Sequence, residues 1–78
     1  MTKQLTSRQV GGNHYKDMAI QPVDFILANN LNFLEGNIIK YICRHRAKHG
    51  VEDLQKAHHY LEMLLTQTAR EAEENEDD

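Results

Sequence analysis

NFLEGNIIKYICRHRAKHGVEDLQKAHHYLEMLLTQT, residues 32–68 of a 78-residue chain, reads as two helices joined by a basic turn. Asn32 followed three residues later by Glu35 is a capping-box pair, in which each side chain satisfies the other residue's unpaired backbone N–H. Leu34, Ile38, Tyr41, Ile42 and His45 then recur at steps of three and four, and Ile39 and Cys43 widen the apolar arc. Gly36 weakens the first turn, and the helix is expected to end near Lys48-His49-Gly50, with cations in its last turn and glycine just beyond. The next helix starts at Val51-Glu52-Asp53, acids at its positive end, and carries Leu54, Ala57, Leu61, Leu64, Leu65 and Thr68 on one side. From residue 71 the apolar positions stop, so this helix is expected to fray into a solvated acidic tail.

Working outward, Pro22 suits a first helical position, where its missing N–H costs nothing. Val23, Phe25, Ile26 and Leu27 give this short helix an apolar face, and Asn29-Asn30 stops it. Residues 1–13 are polar, end in Gly11-Gly12-Asn13 and lack periodicity, which predicts an irregular arm. The expected fold is therefore all-α: a small helical bundle made of a two-helix antiparallel hairpin, one short helix and an irregular N-terminal arm. Its expected divisions are an arm over 1–13, a helical domain over 14–70 and an acidic tail over 71–78.

Seventy-eight residues, 40% of them apolar and none of them Trp, make one small core at most. A single cysteine, Cys43, allows no internal disulfide and no thiolate cluster, which leaves self-association as the expected stabiliser. Inside a helix with apolar neighbours, Cys43 itself reads as an inert thiol. No run of about 18 apolar residues is present and the N-terminus has no signal-like core, so a cytoplasmic protein is expected. The net charge of −3 divides unevenly: residues 71–78 hold six acids and no base, and residues 1–70 hold nine bases against six acids. The body of the chain can therefore attract an anion even though the whole is acidic.

Asn37, Lys40, Arg44 and Lys48 stand at steps of three, four and four, which aligns one amide and three cations on one helix face. Arginine binds an oxyanion bidentately and lysine acts as a point charge, so the face suits phosphate; a merely solvated face has the same periodicity. Asn13-His14-Tyr15-Lys16, after the glycine pair, adds a titratable ring and a stacking surface, but there is no GxxxxGK[ST] phosphate loop. Asp53, Lys56 and Tyr60 share a face of the third helix. Asp53 has two readings, an i, i+3 ion pair with Lys56 or the orientation of a base of the second helix across the hairpin. His45, His49, His58 and His59 lack a third ligand at zinc-binding spacing, so no metal is expected.

The motifs G-G-N-H-Y (11–15), I-Q-P (20–22), G-N-I-I-K-Y-I-C-R (36–44), K-H-G (48–50) and D-L-Q-K-A-x-x-Y-L (53–61), in this order, resemble a small bacteriophage domain family of unknown function. Its members are often labelled nucleotide kinase, after a T7-like phage nucleotide kinase that contains such a domain. The resemblance spans residues 10–65 and implies a phage protein of the bacterial cytoplasm that is connected with nucleotides, with ATP as co-substrate if the kinase label holds. It places the family pattern on His14, Tyr15, Gln21, Pro22, Asn37, Lys40, Tyr41, Arg44, Lys48, Asp53, Lys56 and Tyr60. The expected activity is thus a homo-oligomeric module that binds a nucleotide or another phosphate-bearing ligand, as a nucleoside monophosphate kinase or a nucleotide-sequestering protein. No cofactor is otherwise expected, and no catalytic residue is assigned. Lys40, Arg44 and Lys48 would hold phosphate, and His14, Tyr15 and Asn37 would contact base or sugar. Arg44→Ala is then expected to abolish activity without unfolding the domain. The alternative is capture of a host protein by the hairpin, with the acidic tail steering the encounter; direct nucleic-acid binding ranks third because that tail repels phosphate. In so short a chain an active site is expected between copies.

Overall fold

The computed structural model describes residues 15–76, so the predicted arm over 1–13 and His14 lie outside the described residues. Three helices follow one another, α1 (Pro22–Ala28), α2 (Phe33–Arg44) and α3 (Val51–Glu76), and the described residues contain no strand. The protein is a small all-α fold, in which α2 and α3 form the hairpin and α1 packs on α2.

Pro22 is the first residue of α1 and is buried. The helix ends in a Schellman closure. Asn30 takes a left-handed φ of 56°, the Asn30 N–H donates to the Leu27 carbonyl at 3.2 Å, and the Leu31 N–H donates to the Ile26 carbonyl at 3.0 Å. Asparagine tolerates this φ better than most residues do, which is why the Asn29-Asn30 pair stops the helix. Two residues on, the predicted capping box is formed in full. The Glu35 N–H donates to Asn32 Oδ1 at 2.9 Å, and the Asn32 N–H donates to Glu35 Oε1 at 3.0 Å. Gly36, the weak point of the first turn, is buried because α1 crosses there: a Cβ at this position would stand 3.2 Å from Ile26 Cγ2.

The end of α2 differs from the expectation. The helix stops at Arg44, and residues 45–50 are a run of turns, so Lys48 is not on the α2 face. The last turn tightens, with the N–H groups of Ala47 and Lys48 both donating to the Arg44 carbonyl at 3.0 and 3.1 Å. The His45 ring Nδ1 donates to the Ile42 carbonyl at 2.6 Å. Gly50, at φ 51°, donates its N–H to the His45 carbonyl at 2.8 Å and turns the chain into α3. Helical propensity alone permits His45-Arg46-Ala47-Lys48 to continue α2; the return to α3 decides otherwise.

Helix α3 also runs further than expected, through Glu76. Residues 69–74 are Ala, Arg and Glu, all strong helix formers, and with residues 71–75 exposed their charges stay hydrated without ending the helix. The predicted apolar side of α3 divides in two. Ala57 is buried and Leu64 half-buried, on the side that carries Asp53 and Tyr60 toward α2, whereas Val51, Leu54, Leu61 and Leu65 are exposed. Among the described residues the buried apolar side chains are Ala57 and Pro22. Among the described residues, then, even the one small core that the composition allows is barely present in a single chain. No described helix is long and apolar enough to cross a membrane.

Candidate functional site

Arg44, the last residue of α2, and Asp53, in the first turn of α3, close the hairpin at its turn end. Arg44 Nε donates to Asp53 Oδ2 at 3.2 Å and Arg44 Nη2 donates to Oδ1 at 3.3 Å, a bidentate pair. The His49 backbone N–H adds a longer bond of 3.4 Å to Oδ2. The Asp53 side chain is wholly shielded and that of Arg44 is 15% exposed. Burial pushes the Asp53 carboxyl up, but hydrogen bonds from Arg44 and the His49 N–H, with the Arg44 charge, outweigh it and hold the group below the usual carboxylate range. Burial likewise disfavours the Arg44 cation, and the Asp53 bond and charge overcome that, so Arg44 is held above its ordinary value.

Of the two readings of Asp53, the cross-hairpin one holds. Lys56 pairs instead with Glu52, one turn away, at 3.5 Å. Tyr15 joins the same corner. Burial raises its phenol above the ordinary value, and the neighbouring Arg44 charge and hydrogen bond pull it part of the way back. Its carbonyl accepts from Gln21 Nε2 at 2.8 Å, which holds residues 15–21 together just before α1, while the Tyr15 phenol meets Arg44 at this end of the hairpin. Lys16, the next residue, is exposed.

Beside the ion pair lies an aromatic stack with cations around it. The Tyr41 and Tyr60 rings are nearly parallel, 5.9 Å between centroids and 11° apart, and Phe33 meets Tyr60 edge-on at 6.0 Å. Lys40 Nζ is 4.6 Å, Arg44 Cζ 4.8 Å and Lys56 Nζ 5.4 Å from the centroid of the Tyr41 ring, all within cation–π range. Glu52 answers Lys56 and Asp53 answers Arg44, while Lys40 has no carboxylate within ion-pair distance among the described residues. The local balance of three cations against two anions leaves one positive charge, at Lys40.

The structure therefore brings together Tyr15, Lys40, Tyr41, Arg44, Asp53, Lys56 and Tyr60. Asn37 stays on the α2 face, its Nδ2 donating to the Phe33 carbonyl at 2.9 Å, one turn back on its own helix. Lys48 is exposed in the turn. Phe33 was not anticipated. It is 72% exposed, and its place at i−4 from Asn37 and i−7 from Lys40 puts it on their face, a spacing visible in the sequence. Cys43 is half-buried, and burial raises its thiol above the ordinary value. Among the described residues no three His, Cys, Asp or Glu side chains converge as a metal site.

Fold and site together define a small helical-hairpin module with a cationic, aromatic face stapled by one shielded ion pair. The chain belongs to a protein family of unknown function, DUF3310, whose model matches residues 10–62. That match takes in α1, α2, the turn and the first half of α3, and so the whole site, and it carries no activity. No curated protein and no solved structure matches the chain.

Proposed function

We propose that this chain binds a phosphate-bearing ligand of the nucleotide type on the α2 face that runs from Phe33 through Asn37 to Lys40, with Lys56 alongside. The observation that carries the reading is the gathering of Lys40, Arg44 and Lys56 around Tyr41 with only two carboxylates to balance them. Lys40 supplies the uncompensated charge for a phosphate. Phe33 supplies an exposed ring on which a base can stack, and seven residues of helix rise separate the two by about 10 Å. Asn37, between them, offers an amide for sugar or base.

Arg44 takes a different part from the one its sequence position suggested. With two of its N–H groups held by Asp53, it positions the hairpin and adds charge, so Arg44→Ala strands a shielded carboxylate and tests the fold before it tests binding. Lys40 is the residue that separates the two. The bacteriophage and kinase associations of the motif set are the finer form of this proposal, in which a nucleoside monophosphate is the ligand and ATP the donor.

Thermal shift and calorimetry with nucleoside mono-, di- and triphosphates and inorganic phosphate test the reading. Ligand at a hundred times its dissociation constant stabilises the folded state by about 2.7 kcal/mol, and Lys40→Gln and Phe33→Ala should each reduce that shift while leaving the helical content intact. An unchanged melting temperature at millimolar concentrations of every ligand refutes it. Formation of a diphosphate from a bound monophosphate and ATP separates the kinase from the sequestering form.

A further inference from the structure

We infer that two copies of this chain pair antiparallel along α3, through the seam formed by Val51, Leu54, His58, Leu61, Leu65 and Thr68. These residues follow one another at steps of three, four, three, four and three, the spacing of an a/d seam, and all of them are exposed. Val51 is 69% exposed, Leu61 49% and Leu65 67%, large apolar side chains left in water in a chain whose buried apolar side chains, among the described residues, are Ala57 and Pro22. A surface helix puts its apolar stripe on its neighbour. Here the neighbour α2 takes a different stripe, Asp53, Ala57, Tyr60 and Leu64, centred about 100° round the helix from the seam. Two contact directions at roughly a right angle are those of a helix in a four-helix bundle, which two such hairpins make when they meet through α3.

Charge selects the second copy as occupant and fixes its direction. The turn before α3 is basic, with Arg46 and Lys48 exposed, and the far end of α3 is acidic, with Glu71, Glu73 and Glu74 exposed. A parallel pair sets acid against acid and base against base. An antiparallel pair that matches each a position with a d position places Val51 against the partner's Thr68, Leu54 against the partner's Leu65 and His58 against the partner's Leu61. Beyond the seam, the acidic end of α3 with Glu71 and Glu73 then lies near the partner's basic turn, which holds the partner's Arg46 and the partner's Lys48. One chain thus holds both halves of a self-complementary twofold interface.

Sedimentation velocity of the full chain from micromolar to millimolar concentration should show a monomer–dimer equilibrium. Leu65→Glu, at a position exposed in the single chain, should weaken it by at least on the order of 100-fold, since two leucines leave the interface per dimer. His58→Leu should strengthen it. Lys48→Glu and Glu71→Lys should each weaken dimerisation, and the two together should restore it. Direction is read in a Cys43→Ala background, where a mixture of Leu54→Cys and Leu65→Cys chains should form disulfide-linked dimers and Leu65→Cys alone should not. A monomer at every concentration overturns the inference. So do a dimer indifferent to Leu65→Glu and a Leu65→Cys chain that cross-links to itself.

Discussion

Gly50→Ala puts the α2–α3 connection to a test in which even the sign is informative. Gly50 has φ 51°, a left-handed conformation in which an alanine Cβ crowds its own backbone at a cost of about 1–2 kcal/mol. The space around it adds nothing to that cost, because the nearest atom to a Cβ would be the His45 carbonyl oxygen at 4.0 Å, an ordinary contact. Alanine also narrows the unfolded ensemble, which returns about 0.4–1 kcal/mol. The net expectation is a loss of about 1 kcal/mol, with Asn, which tolerates this φ, losing less and Val more. In a domain of this size 1 kcal/mol moves the melting temperature by about 4–8 °C. Urea and thermal unfolding at one fixed protein concentration, followed by circular dichroism, measure it. If Gly50 were an ordinary helical residue, alanine would stabilise by about 1 kcal/mol. A raised midpoint for Gly50→Ala, or an Asn variant less stable than the Ala variant, refutes the left-handed turn and with it the path that brings Asp53 under Arg44.

Asn32→Ala removes the acceptor of the Glu35 N–H and should cost about 1 kcal/mol by denaturant unfolding; Asn32→Asp, which keeps the acceptor, should be close to neutral. Gly36→Ala should change stability by less than about 1 kcal/mol, helix propensity offsetting the 3.2 Å approach to Ile26, while Gly36→Leu forces α1 away and should cost about 1–3 kcal/mol in the same assay. Because the Asp53 carboxyl is held below its unfolded value of 3.8, its stabilisation is fully present above that value and is lost as pH falls through the lower folded one. The urea midpoint should therefore drop as the pH is taken below about 4, and Asp53→Asn should flatten that drop while lowering the midpoint at pH 7.

Local signals made the helix starts legible, and packing partners decided what was not. Asn32 with Glu35, Pro22 at a first helical position and the Asn29-Asn30 stop each act within six residues, and each is formed as read. The link from Asp53 to a base of α2 was legible as one of two options because Asp53 opens α3 a few residues after the basic end of α2. The end of α2 was not, since no residue from His45 to His49 breaks a helix, and only the return of Asp53 to Arg44 and the Gly50 turn fix it. Nor could the pattern apportion the apolar side of α3. Positions 54, 57, 61, 64 and 65 fall on one broad arc, and which part faces α2 depends on where Tyr41, Arg44 and Phe33 meet it. Phe33 escaped notice because a lone aromatic in a first helical turn reads as core until its exposure is known.

The short chain suggested a site built between copies; for a dimer paired through the seam proposed above, the helical wheel of α3 instead predicts one site on each chain. At 100° per residue Lys56 points about 170° away from the centre of the 51–68 seam, so a dimer joined through that seam turns its two Lys40–Tyr41–Lys56 faces outward, on opposite sides. Each face is complete within one chain, since Lys40, Tyr41, Lys56 and the ion pair that anchors them come from the same α2–α3 hairpin. Titration calorimetry with the best-stabilising nucleotide should thus give one ligand per chain, without cooperativity. Leu65→Glu should bind with the same stoichiometry and with affinity unchanged within about twofold, while the dimer dissociates in parallel sedimentation runs. One ligand per two chains, or loss of binding together with loss of the dimer, places the ligand across an interface and refutes the separation of the two faces. Loss of binding in Lys40→Gln with the dimer intact completes the test from the other side.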